Sequence, residues 1–246
     1  MYAFGSKAHA DARRRQLPGP IPEGPYFFKS EWMESGDDPT LAPNIFLVEQ
    51  PAHYEFPVHF HTQNQWQIFV GGHGRIGTHT ITPITVHYAG AYSGYGPLIS
   101  GQDGIQYFTL RPAFDAGAQL LPEKRPLLRP GPKRQASSAS CTQLPESELR
   151  ALEAPRADLL IARQTDEVEA TLWRLPPDSA VTLPPPASGG QFLFVLTGQT
   201  SLLGQTLIPW ESAYRSADEG AVDLVAGVEG AEVLILQVPA KASEYC

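Results

Sequence analysis

The apolar positions of the chain fall into short runs bounded by glycine. Gln65 to Val70 is dense in aromatic and β-branched residues and stops at Gly71-Gly72, the pattern of a strand followed by a turn. Ile105 to Leu110 and Ala231 to Val238 are further short apolar runs, each close behind a glycine, Gly104 and Gly230. Gly71-Gly72-His73-Gly74 lacks a lysine and a following helix, so it reads as a turn and not as a phosphate-binding loop. Short strands separated by turn signals predict an all-β sandwich or barrel.

The pattern occurs twice. A shift of 126 positions aligns one half of the chain with the other without a gap. Pro51 then falls on Pro177, Gln65 on Gln191, Gly72 on Gly198, Tyr88 on Tyr214, Gly104 on Gly230 and Leu110 on Leu236. Ile68-Phe69-Val70 overlies Phe194-Val195-Leu196, and the register holds from about residue 45 to 112. The repeat divides the chain into an arm (1–25), a first barrel (26–121), a linker (122–144) and a second barrel (145–246). The linker is rich in Pro, Lys, Arg and Ser. Pro145-Glu146-Ser147-Glu148 opens a short helix with acidic residues in its first turn. The arm is expected either to wrap a neighbouring barrel or to stay disordered.

Composition narrows the partners. The 246 residues carry a formal net charge of −8, which repels phosphate backbones, so nucleic acid is not an expected partner. The one basic run, Lys124 to Arg134, lies among prolines and reads as solvated linker. The 22 glycines and 24 prolines favour tight turns over long helices. No apolar run approaches the roughly 20 residues of a membrane helix. Arg13-Arg14-Arg15 has no apolar stretch after it, so no secretory signal is expected. The two cysteines, Cys141 and Cys246, suggest no disulfide framework, and the expected compartment is the cytoplasm.

All seven histidines lie in the first 87 residues. His59 and His61 are two apart, so on a strand they face the same way. Paired imidazoles inside a barrel make a metal corner suited to Zn, Cu, Fe or Ni. The bland alternative is polar filling, hydrogen-bonded to Gln65 and water. Tyr88, Tyr92, Tyr95 and Arg111 are placed around the same pocket, where Arg111 could grip a carboxylate. At the shifted positions the second half has Pro185 and Ala187, so no such corner exists there. A pocket on Gln191, Trp210 and Tyr214 is conceivable, although these residue types are more often core.

His59-x-His61-x3-Gln65-x6-Gly72 resembles the first motif of the cupin superfamily, H-x-H-x3-E-x6-G, with Gln in place of Glu. The resemblance implies two cupin-type (jelly-roll or double-stranded β-helix) antiparallel barrels in one chain. It implies His59 and His61 as metal ligands, with Gln65 in the carboxylate position, around one divalent ion (Fe, Mn, Ni, Cu or Zn). The family's chemistries include dioxygenase, isomerase and lyase reactions, with the dioxygenase class the first to test. A second cupin motif supplies a further histidine, and this chain has none after residue 87. The corresponding stretch, Gly90 to Pro97, offers Tyr92 and Tyr95 instead. Two functions therefore stay open: a metal-dependent enzyme acting on a small organic molecule, and a metal-free small-molecule binder or sensor. A homodimer is the expected assembly.

Overall fold

The structure is a computed structural model, described here for residues 1–21, 24–34 and 43–246. Residues 22–23 of the expected arm and 35–42 of the expected first barrel lie outside the described residues. The chain divides into two compact units, neither built from one continuous stretch. One comprises Ala8–Cys141 with Lys241–Cys246 and holds every histidine; the other comprises Met1–Lys7 with Thr142–Ala240. Both are β-structures with antiparallel pairing.

In the histidine-bearing unit a nine-stranded sheet runs in the order Gln135–Ser137, Thr85–Ala89, Gln65–Ile76, Leu98–Arg111, Asn44–Gln50, Phe27–Met33, Arg15–Leu17. Glu55–Phe56 and His79–Ile81 pair at its margins, and His59–Phe60 forms a separate small ladder with Gln119–Leu120. Successive side chains of a strand point to opposite faces. Gln65, Gln67 and Phe69 therefore share one face, and Trp66 and Ile68 the other. At the Phe69 end, that inner face packs an apolar cluster with Val48, Ile76, Leu98, Ile105 and Tyr107. At the Gln65 end it turns polar.

The other unit has an eight-stranded sheet, ordered Tyr2–Gly5, Ser212–Arg215, Gln191–Leu202, Val222–Gln237, Glu169–Leu175, Arg156–Ile161, with Ala180–Leu183 and Gln205–Leu207 off this path. Leu193, Val195, Leu224, Val233 and Ile235 lie in its core. The 126-residue shift is visible in the strands themselves: Gln65–Ile76 maps onto Gln191–Leu202, and His79–Ile81 onto Gln205–Leu207.

Three local expectations change. The strand does not turn at Gly71-Gly72 but continues to Ile76. Gly72 adopts φ +70 opposite a register shift between Ser100 and Ile105, so this is a bulge and not a turn. The stretch read as linker contributes Gln135–Ser137 to the sheet, and the arm carries the strands Tyr2–Gly5 and Arg15–Leu17 and the helix Lys7–Ala12. Proline and basic residues near a short strand hide it, because sheet pairing is satisfied by the partner strand and needs no periodicity of its own. The short helix forms at Glu146–Arg150. Among the described residues no helix is long and apolar enough to cross a membrane.

Candidate functional site

The polar end of the histidine-bearing unit surrounds a cavity of about 340 Å³. His59, His61, Tyr95 and Arg111 line it. His59 and His61 come from the short His59–Phe60 ladder and the residue after it. The loop following Arg111 closes over them, because Gln119–Leu120 returns to pair with Phe60 and His59.

Hydrogen bonds set the imidazole tautomers. The Nδ1 of His59 lies 2.7 Å from the carbonyl of Pro57, and the Nδ1 of His61 lies 2.7 Å from Oδ1 of Asp115. Both partners can only accept, so both Nδ1 atoms carry the proton and each Nε2 keeps its lone pair. Burial pushes His59 down to about 3, reinforced by its neighbour His61, and burial with the charge of Arg111 pushes His61 down to about 4. Both rings are neutral at neutral pH. Asp115 also receives the backbone N–H and hydroxyl of Thr62 and the N–H of Gly117. Burial alone would raise its carboxyl, but the bond from His61, the bond from Gly117 and the charge of Arg111 outweigh that and hold it well below the carboxylate range.

Arg111 is the buried cation of the site, 5% exposed. Its Nε donates to Oε1 of Gln65 at 3.0 Å. Its Nη2 lies 3.1 and 3.2 Å from the two ring nitrogens of His61, and with Nδ1 protonated it can donate only to Nε2. Its Nη1 comes only to 3.7 Å from Asp115, beyond hydrogen-bond range. The Nε2 of Gln65 donates to the Tyr95 hydroxyl at 2.5 Å, and burial keeps that phenol protonated. Among the described residues the Tyr95 proton has no acceptor. Two donors, Nη1 of Arg111 and the Tyr95 hydroxyl, are thus left for whatever enters.

Lys29, Phe46, Phe56 and Phe114 complete the wall with Gln67 and Tyr107. Lys29 sits 3.9 Å and Arg111 5.3 Å from the Phe46 ring centre, so one aromatic ring supports two cations. Glu31 pairs with Lys29 at 2.7 Å and with Arg15 at 2.9 Å. An adjoining hollow of about 400 Å³ shares Lys29, Phe46, Arg111, Phe114 and Asp115.

The structure brings His59, His61, Gln65, Tyr95 and Arg111 together. It does not bring Tyr88 and Tyr92 to the cavity. Tyr88 alternates with His87 along its strand and packs against Trp66, with ring centres 5.1 Å apart. Tyr92 stacks between Phe60 and Tyr245. His87 is buried beside Tyr95, with Nδ1 2.8 Å from the Ser137 hydroxyl. His79 lies against the Ser138 carbonyl, His73 near Asp103, and His9 against Glu34. Asp115 and Lys29 were not read from the sequence. The only hints are an acid four residues after Arg111 and alternation along Phe27–Met33. In the other unit Gln191 accepts from Arg215 and Tyr214 bonds the Gly189 carbonyl, so both serve the core.

Two imidazoles with unprotonated Nε2 atoms, one backed by a carboxylate, suit a metal. The rest of the set does not. The oxygen of Gln65 is occupied by Arg111, the phenol of Tyr95 is protonated, and a permanent cation lies against His61. Among the described residues no group of three His, Cys, Asp or Glu side chains could hold an ion.

No known family model matches the sequence, and no curated protein resembles it. Solved structures do resemble the fold. The bacterial pirin YhhW from Escherichia coli in complex with nickel(II) matches at TM-score 0.56 and 12% identity, over 97% of this chain and 99% of that one. An oxalate decarboxylase formate complex from Lactobacillus farciminis matches at TM-score 0.62 and 11% identity, over 98% and 87%. A Bacillus subtilis oxalate decarboxylase variant matches at 0.58 and 11%, over 96% and 76%. These are cupin-fold proteins, and the likeness over nearly the whole chain gives this chain the cupin fold.

Proposed function

We propose that the chain is a bicupin whose histidine-bearing barrel binds a small organic monocarboxylate without a metal ion. The observation that carries this is Arg111: its guanidinium takes the oxygen of Gln65 and meets Nε2 of His61, where a cupin metal would need both. Charge supports it. Counting the Glu31 that pairs with both Lys29 and Arg15, the cations Arg15, Lys29 and Arg111 meet the acids Glu31 and Asp115, an excess of one positive charge that a monoanion neutralises. Arg111 Nη1 and the Tyr95 hydroxyl would hold the two carboxylate oxygens, and the phenylalanines the apolar body.

The competing reading is a divalent ion on His59 and His61 serving an enzyme, and the unprotonated Nε2 atoms favour it. One experiment separates the two. Chelator-treated protein is titrated with benzoate by calorimetry, beside Arg111→Gln, and metal content is measured on the same samples. Binding by the metal-free wild type, weakened at least tenfold in Arg111→Gln, is expected. Binding that appears only after loading with Ni(II), Mn(II) or Fe(II) overturns the metal-free reading in favour of the metal one.

A further inference from the structure

Lys29 is the only lysine on the cavity wall among the described residues, and it also lines the adjoining hollow. It alternates with Phe28 along Phe27–Met33, so Phe27, Lys29 and Glu31 share the inward face. Its side chain is 21% exposed and that of Glu31 8%.

Its surroundings crowd the ammonium with other cations. Ladder register places Arg15 directly opposite Lys29, a like-charge pairing that costs free energy. Arg111 lies against the same Phe46 ring. Burial lowers the Lys29 pKa, Glu31 raises it again in part, and the charges of Arg15 and Arg111 lower it further. A desolvated amine beside other cations gives up its proton readily, and that is how a lysine becomes a nucleophile. A lysine kept only to pair with Glu31 would be served as well by arginine.

We infer that Lys29 forms an imine with the carbonyl of an aliphatic oxo-monocarboxylate, whose carboxylate end rests on the Arg111 reading above. Glu31, 2.7 Å away, takes a proton from the ammonium. The freed amine attacks the carbonyl carbon, and one proton passes from nitrogen to oxygen to give a carbinolamine. Glu31 returns its proton to that hydroxyl, which leaves as water. The product is a protonated imine, so the positive charge that the carboxylate balances is kept throughout.

The test is reductive trapping on the full chain. The probes are pyruvate, acetoacetate and levulinate, which differ in the spacing of carbonyl and carboxylate, and butanone, which has no carboxylate. Sodium cyanoborohydride reduces any imine to a stable secondary amine, and peptide mass mapping locates it. The expected result is an adduct at Lys29 with one or more of the acids, formed faster than at the exposed Lys7 and Lys124 and faster than with butanone. Lys29→Arg keeps the charge and the Glu31 partner and should lose the adduct. Mapping reads the wild-type chain, so it decides the matter even if the variant fails to fold. Labelling of Lys29 no faster than that of the exposed lysines overturns the nucleophile, and the benzoate titration then decides the carboxylate reading by itself. Equal labelling of Lys29 by butanone and the acids keeps the nucleophile and overturns the carboxylate end.

Discussion

His87 shows what burial without a charge partner does to a single side chain. Its pKa is driven down to about 3 by desolvation, with a smaller push from His79. The folded chain therefore keeps it neutral, while the unfolded chain protonates it near the usual value of about 6.5. Between those values the unfolded state binds more protons, so this contribution is whole above about pH 6.5 and is lost as pH falls toward 3. His59 and His61 act in the same direction. Urea unfolding at pH 7, 6, 5 and 4 should show stability falling through this window. In His87→Gln the fall should be shallower by up to about 1.4 kcal/mol per pH unit. A slope unchanged by the substitution would mean that His87 is protonated in the folded chain. Single residues were also where the sequence was hardest to read. The His59–His61 pair announced itself by spacing, and Arg111 by its type. Asp115 did not, because a loop acid acquires its role only when Gln119–Leu120 folds the loop back over His61.

Among elements, the paired bulges explain why the repeat preserves its glycines. Gly72 and Gly198 both adopt φ +70, and a Cβ on either would run into the carbonyl oxygen of Gly104 or Gly230 across the ladder. Gly204 also has positive φ but opens onto empty space. Gly204→Ala should thus cost only backbone strain, about 1 kcal/mol, whereas Gly72→Ala adds a steric clash and should cost about 2–3 kcal/mol. Denaturant midpoints of the two variants measure the difference, and equal losses would remove the clash from the account. Strand existence and register were legible because glycine and apolar runs recur at one offset. The bulge was misread as a turn because both conformations ask for the same residue. Tyr88 and Tyr92 were assigned to the pocket for a related reason: strand alternation cannot be phased until one inward residue is known.

For the whole molecule, the terminal segments matter most. Met1–Lys7 belongs to the unit formed by Thr142–Ala240, where Tyr2–Gly5 covers the edge strand Ser212–Arg215. Lys241–Cys246 belongs to the histidine-bearing unit, where Tyr245 is 4% exposed, accepts from Lys133 and donates to the Pro132 carbonyl. A fragment spanning 142–240 would leave Ser212–Arg215 with one unpaired side, an invitation to edge-to-edge association. Such a fragment should self-associate in analytical ultracentrifugation, and fusing residues 1–7 to it through a flexible linker should remove that association. A monomeric fragment without the fusion would show that the edge protects itself.

This exchange of end segments also orders events during synthesis. The first seven residues leave the ribosome long before the strand Ser212–Arg215 that pairs with them exists. The Tyr245 anchor beside Phe60 and Tyr92 arrives after everything else in its unit has been made. Tyr2–Gly5 waits without its partner until Ser212–Arg215 is made, and the aromatic slot of Phe60 and Tyr92 stays open until Tyr245 follows.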